Sequence, residues 1–412
     1  RCDTPLLNFV TGSWFIRVTD IKEHLIQNNA KIKWQPPHIQ EGRFGKWLEG
    51  ARDWAISRNR FWGCPMPVWE CACGETLCIG STEELKKLSG GNVPMRGDEL
   101  DLHKPYIDDI RIPCAQCGKQ MQRIPDVLDC WFESGSMPYA QLHYPFENKK
   151  EFDDNFPADF IAEGLDQTRG WFYTLHVIST ILFNKPAFSN VIVNGILLAA
   201  DGEKLSKRKK NYPDPTALFE SKGVDSVRLF LYTSPATLAD DVRFSERNVD
   251  EMVKQFTLTI WNVHSFFMTY AALDKWTPAK DSEKFRPTHT LDQWMLSELN
   301  TLVQTLTDSM DSYNLMAATR PLITFADDLS NWYVRRSRRR FWKSESDEDK
   351  NSAYQTLYTV LHTLSHLMAP FMPFLSDSIY RGLTQWQPDR PESVHLCDWP
   401  ALNKSLIKPL LN

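Results

Sequence analysis

Fifteen residues, DGEKLSKRKKNYPDP at 201–215, set Lys204, Ser206, Lys207, Arg208, Lys209 and Lys210 just after a strand-like run that ends in a glycine-containing turn. A cationic loop at a strand's end suits a polyphosphate: ammonium groups there neutralise charge that develops as pyrophosphate departs, and Ser206 adds a hydroxyl donor. Composition alone leaves open a solvated basic loop. A second constellation is Cys71 and Cys73 in CACG with Cys114 and Cys117 in CAQCG. Four thiolates from two tight turns suit tetrahedral Zn²⁺ in a structural role, although CxC and the long separation depart from the usual finger spacing, so unliganded thiols stay open. The third is NWYVRRSRRRFW at 331–342, where Arg335, Arg336, Arg338, Arg339 and Arg340 interleave with Trp332, Tyr333, Phe341 and Trp342. Arginines contact RNA phosphates and aromatics stack on unpaired bases, but the same spacing fits core aromatics with solvated arginines.

These residues need elements to hold them. From about 126 to 238, strand-like and helix-like runs alternate: FPADFIAEG, then QTRGWFYTLHVISTILF, then NVIVNGILLA. That order predicts an α/β unit with a parallel sheet. From 239 to 412 apolar residues recur at helical steps, as at Trp294, Leu296, Leu299, Leu302 and Leu306, which predicts an all-α bundle. Residues 1–125, rich in Trp, Pro and Gly, read as a small mixed module.

Length, at 412 residues, fits two or three domains, and 42% hydrophobic residues with 15 Trp and 23 Phe argue against disorder. A formal net charge of −5 gives no global attraction to nucleic acid, so any polyanion site is a local patch. Nine cysteines without a signal peptide read as reduced thiols in the cytosol, with Cys64, Cys78 and Cys130 as buried small side chains. No apolar run is long enough to span a bilayer. The chain starts at Arg1, which reads as a fragment. His362 and His366, four apart without the glutamate of a zinc protease motif, read as packing and capping residues. Asp126 with Asp129, or Asp240 with Asp241, have nothing nearby that assigns them acid/base work.

The motifs in order carry a resemblance. KLSKR at 204–208 resembles the KMSKS signature of class I aminoacyl-tRNA synthetases, with Leu205 for Met and Arg208 for the final Ser. AEGLDQTRGWFYTL and DVLDCWFESGSMPYAQ upstream resemble two segments of the amino-acid and adenylate site of the isoleucyl members. ISRNRFWGCPMPVW and NVIVNGILLAADGEK extend the likeness, and KLSKRKKNYPDP is closest to eukaryotic cytosolic forms.

The resemblance implies the C-terminal half of a Rossmann-like catalytic domain at 126–238, an anticodon-binding bundle at 239–412, and the end of an editing insertion with a connective zinc-knuckle module at 1–125. It implies ATP with Mg²⁺ and isoleucine as substrates, tRNA(Ile) as partner, a multi-synthetase complex as a further partner open to eukaryotic forms, and a cytoplasmic site. Carried over by position, Glu163, Gly164, Asp166 and Gln167 bind the adenylate and substrate ammonium, a pairing of carboxylate with cation. Trp131 and Trp171 wall the isoleucine pocket, although each alone reads as core. Asn194 and Gly195 let the nucleotide approach the backbone, and Lys204, Ser206 and Lys207 act on the phosphates. Arg335, Arg336, Arg338 and Arg339 contact tRNA. The HIGH motif of the family is absent from the sequence, so the chain alone is expected to be nearly inactive. Valyl or leucyl specificity and a noncatalytic tRNA-binding module are the alternatives.

Overall fold

The computed structural model describes residues 5, 10–97, 99–206, 208–279, 285–342, 348–385, 387 and 389–408. Two compact units divide the chain after Val191.

In the first unit, four short strands form one sheet in the order Thr76–Cys78, Val68–Glu70, Gln120–Arg123, Arg111–Pro113. Neighbours in it are antiparallel, so alternate side chains share a face. Trp69, Ile112 and Met121 close a small core with Ile79, Leu85 and Ile107. Arg123 crosses this module buried: its guanidinium meets Asp108 at 2.5 Å and donates to the carbonyls of Met66 and Asp126. A buried cation anchored in this way fixes the chain on either side of it.

A second sheet orders Ala158–Gly164, Phe188–Asn194 and Lys33–Gln35. Between its first two strands runs the helix Trp171–Phe183, buried continuously from Phe172 to Thr180. A largely apolar helix of this kind belongs inside, and its one imidazole conforms: His176 is fully buried, donates from Nε2 to the carbonyl of Leu25 at 2.8 Å, and its pKa is pushed down to about 4 by burial. The strand, helix and strand read from sequence all form.

The second unit begins with a parallel pairing of Leu197–Leu198 with Val242–Arg243. The connection runs through the helices Pro215–Lys222 and Val224–Thr233. The first starts at an aspartate cap, where Asp214 Oδ1 accepts from the N–H groups of Thr216 and Ala217, with Pro215 at the first helical position. The helices Leu258–Leu273, Thr290–Asp311, Leu315–Asp327, Arg335–Trp342, Glu348–Met368 and Pro373–Thr384 then share one core that includes Leu299, Leu306, Leu322, Leu357 and Leu364. His362 and His366 pack there against Tyr358 and Tyr380. Among the described residues no helix is long and apolar enough to cross a membrane.

Candidate functional site

In the first unit, Asp129 builds one wall. It is 3% exposed and caps the helix Cys130–Gly135 by accepting from the Trp131 N–H at 3.3 Å. Its other oxygen pairs with Arg58 at 2.7 Å and accepts from Trp54 Nε1 at 3.4 Å. The carboxylate that lacked an acid/base role in sequence therefore has a positioning one. Opposite, the chain leaves the Ala158–Gly164 strand into a tight turn at Leu165–Arg169. Gln167 holds this turn, accepting from the Trp171 N–H at 2.8 Å and donating to Asp166 at 3.0 Å. Trp171 Nε1 donates to the carbonyl of Ser134 at 3.1 Å, so the two tryptophan-bearing helix ends are tied together. Gly170 leaves room for the Gln167 amide, since a Cβ there would sit 2.6 Å from Gln167 Oε1 and 3.3 Å from Trp131 Cη2. Trp131 stays 40% exposed, so it is not a core side chain. Glu163 ends the strand with its side chain exposed.

In the second unit, the basic loop is a closed structure. Ala199 and Glu203 pair across a turn where Gly202 takes φ +87. Asn211 clamps the loop, its Nδ2 donating to the Lys204 carbonyl and its Oδ1 accepting from the Ser206 N–H at 2.9 Å. Lys209 pairs with Glu203 at 2.5 Å, which raises its pKa through that hydrogen bond and leaves it turned to its own loop. Lys204 is exposed; Lys207 lies outside the described residues. Sequence reasoning missed Asn211, whose position seven residues after its acceptor follows no motif. Gly195 is required by the fold itself: a Cβ there would sit 1.8 Å from the Asp240 carbonyl oxygen. The approaching backbone is the protein's own, and Gly195 N–H donates to the carbonyl of Ala236 at 2.7 Å. Asn194 is half-buried at the end of the preceding strand.

The four cysteines meet as their spacing suggested. Cys71 and Cys73 cap one hairpin of the four-stranded sheet, Cys114 and Cys117 the other, and each turn is completed by a glycine at positive φ, Gly74 and Gly118. Their sulfur atoms lie within 4.8 Å of one another, with Cys71 to Cys117 at 3.4 Å and Cys73 to Cys114 at 3.7 Å. A tetrahedron with metal–sulfur bonds of about 2.3 Å has edges of about 3.8 Å, so the set fits a tetrahedral ion. The backbone N–H of Cys117 pulls the Cys114 thiol down, while its neighbours in the cluster push the Cys71 thiol up, so the four sulfurs share their protons. Cys64, Cys78 and Cys130, expected as buried side chains, are instead exposed.

The arginine segment separates by face. Tyr333, Val334, Ser337, Arg340 and Phe341 are buried, while Arg335, Arg336, Arg338 and Arg339 are exposed. Arg336 lies over the exposed Trp332 ring, 4.4 Å from its centroid. Arg340 turns inward and grips Asp292 with two hydrogen bonds of 2.6 and 2.8 Å. Tyr333 and Ser352 each donate to the same carboxylate at 2.8 Å.

Comparison with known proteins places this geometry. The family described as "tRNA synthetases class I (I, L, M and V)" matches residues 7–245, and the anticodon-binding domain of tRNA ligases matches 292–411. The chain belongs to the class I tRNA synthetases. Curated relatives of this synthetase chain include isoleucine–tRNA ligases from Treponema denticola, 51% identical over 98% of the chain and 37% of that protein, and from Protochlamydia amoebophila, 52% identical over 97% and 37%. The chain thus spans a little over a third of the length of the relatives it matches. Among solved structures, a leucyl-tRNA synthetase of Agrobacterium radiobacter K84 in a ternary complex with tRNA and LeuAMS aligns with TM-score 0.64 at 18% identity, covering 90% of this chain and 46% of that one. Mycobacterium tuberculosis methionyl-tRNA synthetase bound by methionyl-adenylate aligns with TM-score 0.63 at 19% identity, covering 89% and 62%. Both show the α/β catalytic fold followed by a helical region, as the class I resemblance implied.

Proposed function

We propose that the polypeptide containing this chain is an isoleucine–tRNA ligase. It joins isoleucine to the α-phosphate of Mg²⁺-bound ATP, releases pyrophosphate, and passes the isoleucyl group to the 3′ end of tRNA(Ile). The observation that carries this reading is the likeness, at about half of all positions, to isoleucine–tRNA ligases along almost the whole chain. The two tryptophans of the first unit suit it. Trp131 and Trp171 supply rigid apolar faces for an aliphatic side chain, and Glu163 with Asp166 and Gln167 supplies acceptors for the substrate ammonium and the adenylate. In the basic loop Lys204, Ser206 and Lys207 stabilise the charge that grows on departing pyrophosphate, with Asn194 and Gly195 shaping the strand end before them. Catalysis is then mainly positioning. Arg335, Arg336, Arg338 and Arg339 contact the tRNA backbone from one helix face.

The test is ATP–pyrophosphate exchange by the native polypeptide with single amino acids. Isoleucine is expected to drive the fastest exchange; a faster rate with leucine or valine would end the isoleucine assignment.

The four-cysteine cluster holds zinc in this reading, and its role is structural. Cys71, Cys73, Cys114 and Cys117 would supply all four ligands, closing a module with only a small core. Purified protein is expected to contain stoichiometric zinc. Its removal by a strong chelator, or the substitution Cys114→Ser, is expected to make the 64–124 region sensitive to limited proteolysis. Protein without zinc and with an unchanged cleavage pattern would show that the apolar cluster suffices.

A further inference from the structure

The site above gives no work to the most exposed aromatic group among the described residues of the first unit. The turn Arg60–Phe61–Trp62 leaves Phe61 68% and Trp62 76% exposed. Such exposure of two large rings side by side is costly in water unless something covers them. The turn is held from behind: Lys104 Nζ donates to the carbonyls of Arg60 and Pro125, and the Cys64 N–H donates to Glu133 at 3.1 Å. One indole face already carries a partner. The His103 ring stacks on Trp62 with centroids 5.6 Å apart and planes 16° from parallel. His103 is itself fixed by Asp101, which accepts from its backbone N–H at 3.0 Å and meets its Nδ1 at 2.8 Å.

We propose that this stack receives an unpaired base of the tRNA 3′ end, a reading that rests on the aminoacylation function proposed above. Three observations favour an RNA strand. The exposed apolar surface here is flat aromatic surface, and every base offers a π-face to it whatever the sequence. Cations for a phosphate are at hand: Arg60 is exposed and Lys104 lies behind the turn, while the nearby carboxylates Asp101, Asp129 and Glu133 each accept from a protein donor. The turn is also joined to the amino-acid recess, because Glu133 lies two residues from Trp131 on one helix, and Arg58, at the root of the turn, shares Asp129 with the Trp131 N–H. A base stacked on Trp62 would therefore be held by the same framework that holds the recess its ribose must reach in the second step.

The experiment measures binding of the native polypeptide to tRNA(Ile) and to the same tRNA shortened by its single-stranded 3′ nucleotides, by filter binding at one salt concentration. Trp62→Ala is expected to weaken binding of the intact tRNA by about 5- to 100-fold, the range for loss of one base–aromatic stack. The shortened tRNA is expected to bind wild type and variant alike, and Trp62→Phe to restore most of the affinity. Isoleucine-dependent pyrophosphate exchange, which involves no RNA, is expected to stay at the wild-type rate. Equal losses on both tRNAs, or no loss on either, would overturn the proposal. So would a variant that loses solubility or exchange activity without any dependence on the 3′ end, since the patch would then be covered by another part of the polypeptide. Absence of exchange in the wild-type protein would instead strike the proposed function, and the paired tRNA measurement would still decide the stack.

Discussion

Isoleucine-dependent ATP–pyrophosphate exchange is expected to fall about 10²- to 10³-fold in the native polypeptide when Lys207 is replaced by alanine, the cost of losing one preorganised donor aimed at developing charge. The loss should appear mainly in kcat. An ammonium that meets charge growing on the departing pyrophosphate interacts more strongly in the transition state than with bound ATP, so the KM for ATP should move much less. The loop's architecture supplies the control. Lys209 is two residues away and equally charged, but Glu203 already occupies it at 2.5 Å. Its replacement by alanine is expected to leave the rate within a few-fold of wild type. A rate unchanged by Lys207→Ala would remove that lysine from the mechanism, and equal losses at 207 and 209 would reduce the loop to a diffuse positive field.

Asp292→Ala is expected to destabilise the helical unit by roughly 3–5 kcal/mol, the cost of stranding a buried charge by deleting its partner. Asp292 is fully buried and takes two hydrogen bonds from Arg340 and one each from Tyr333 and Ser352. Its loss leaves a phenol and a hydroxyl facing an apolar hole, and leaves the buried Arg340 guanidinium with the partly exposed Asp349, 2.8 Å away, as its carboxylate partner. Calorimetry of the native polypeptide should show the corresponding transition moved to lower temperature. The double change of Asp292 and Arg340 to methionine is expected to recover much of the loss, since a buried ion pair and an apolar replacement of similar volume are often close in stability. A wild-type transition in Asp292→Ala would show that water reaches the pair. The same pair holds the helix that carries Arg335, Arg336, Arg338 and Arg339, so tRNA affinity is expected to fall together with stability.

What could be read from sequence was local. The run from FPADFIAEG to NVIVNGILLA announced its strand, helix and strand because periodicity and length are properties of contiguous residues. The cysteine pairs announced their turns through the glycine that ends each one. Pairings over distance stayed hidden. Nothing near Arg340 in the chain distinguishes it from its four neighbours, because the carboxylate that buries it is 48 residues away. Gly195 resembled a nucleotide contact, and only the return of the chain at Asp240 reveals why a side chain is excluded. Asn211 was invisible as a clamp for a related reason: its acceptor and donor are set by loop closure and not by a repeat. The eukaryotic flavour of KLSKRKKNYPDP covers twelve residues, and the relatives that match along almost the whole chain include bacterial ones, so one loop's wording is too short to place a source.

The strand Ala158–Gly164 lies at the margin of its three-stranded sheet, with a partner on one side only among the described residues. Four of its seven residues are exposed, Phe160 among them at 52%. A rim of main-chain donors and acceptors in that state accepts any extended segment of suitable register. Handled in isolation, this 412-residue piece would offer such a rim to its own copies, and sheet-to-sheet clumping would compete with every assay at high concentration. Dilution, or a charged residue in place of Phe160, is the remedy that the geometry itself recommends.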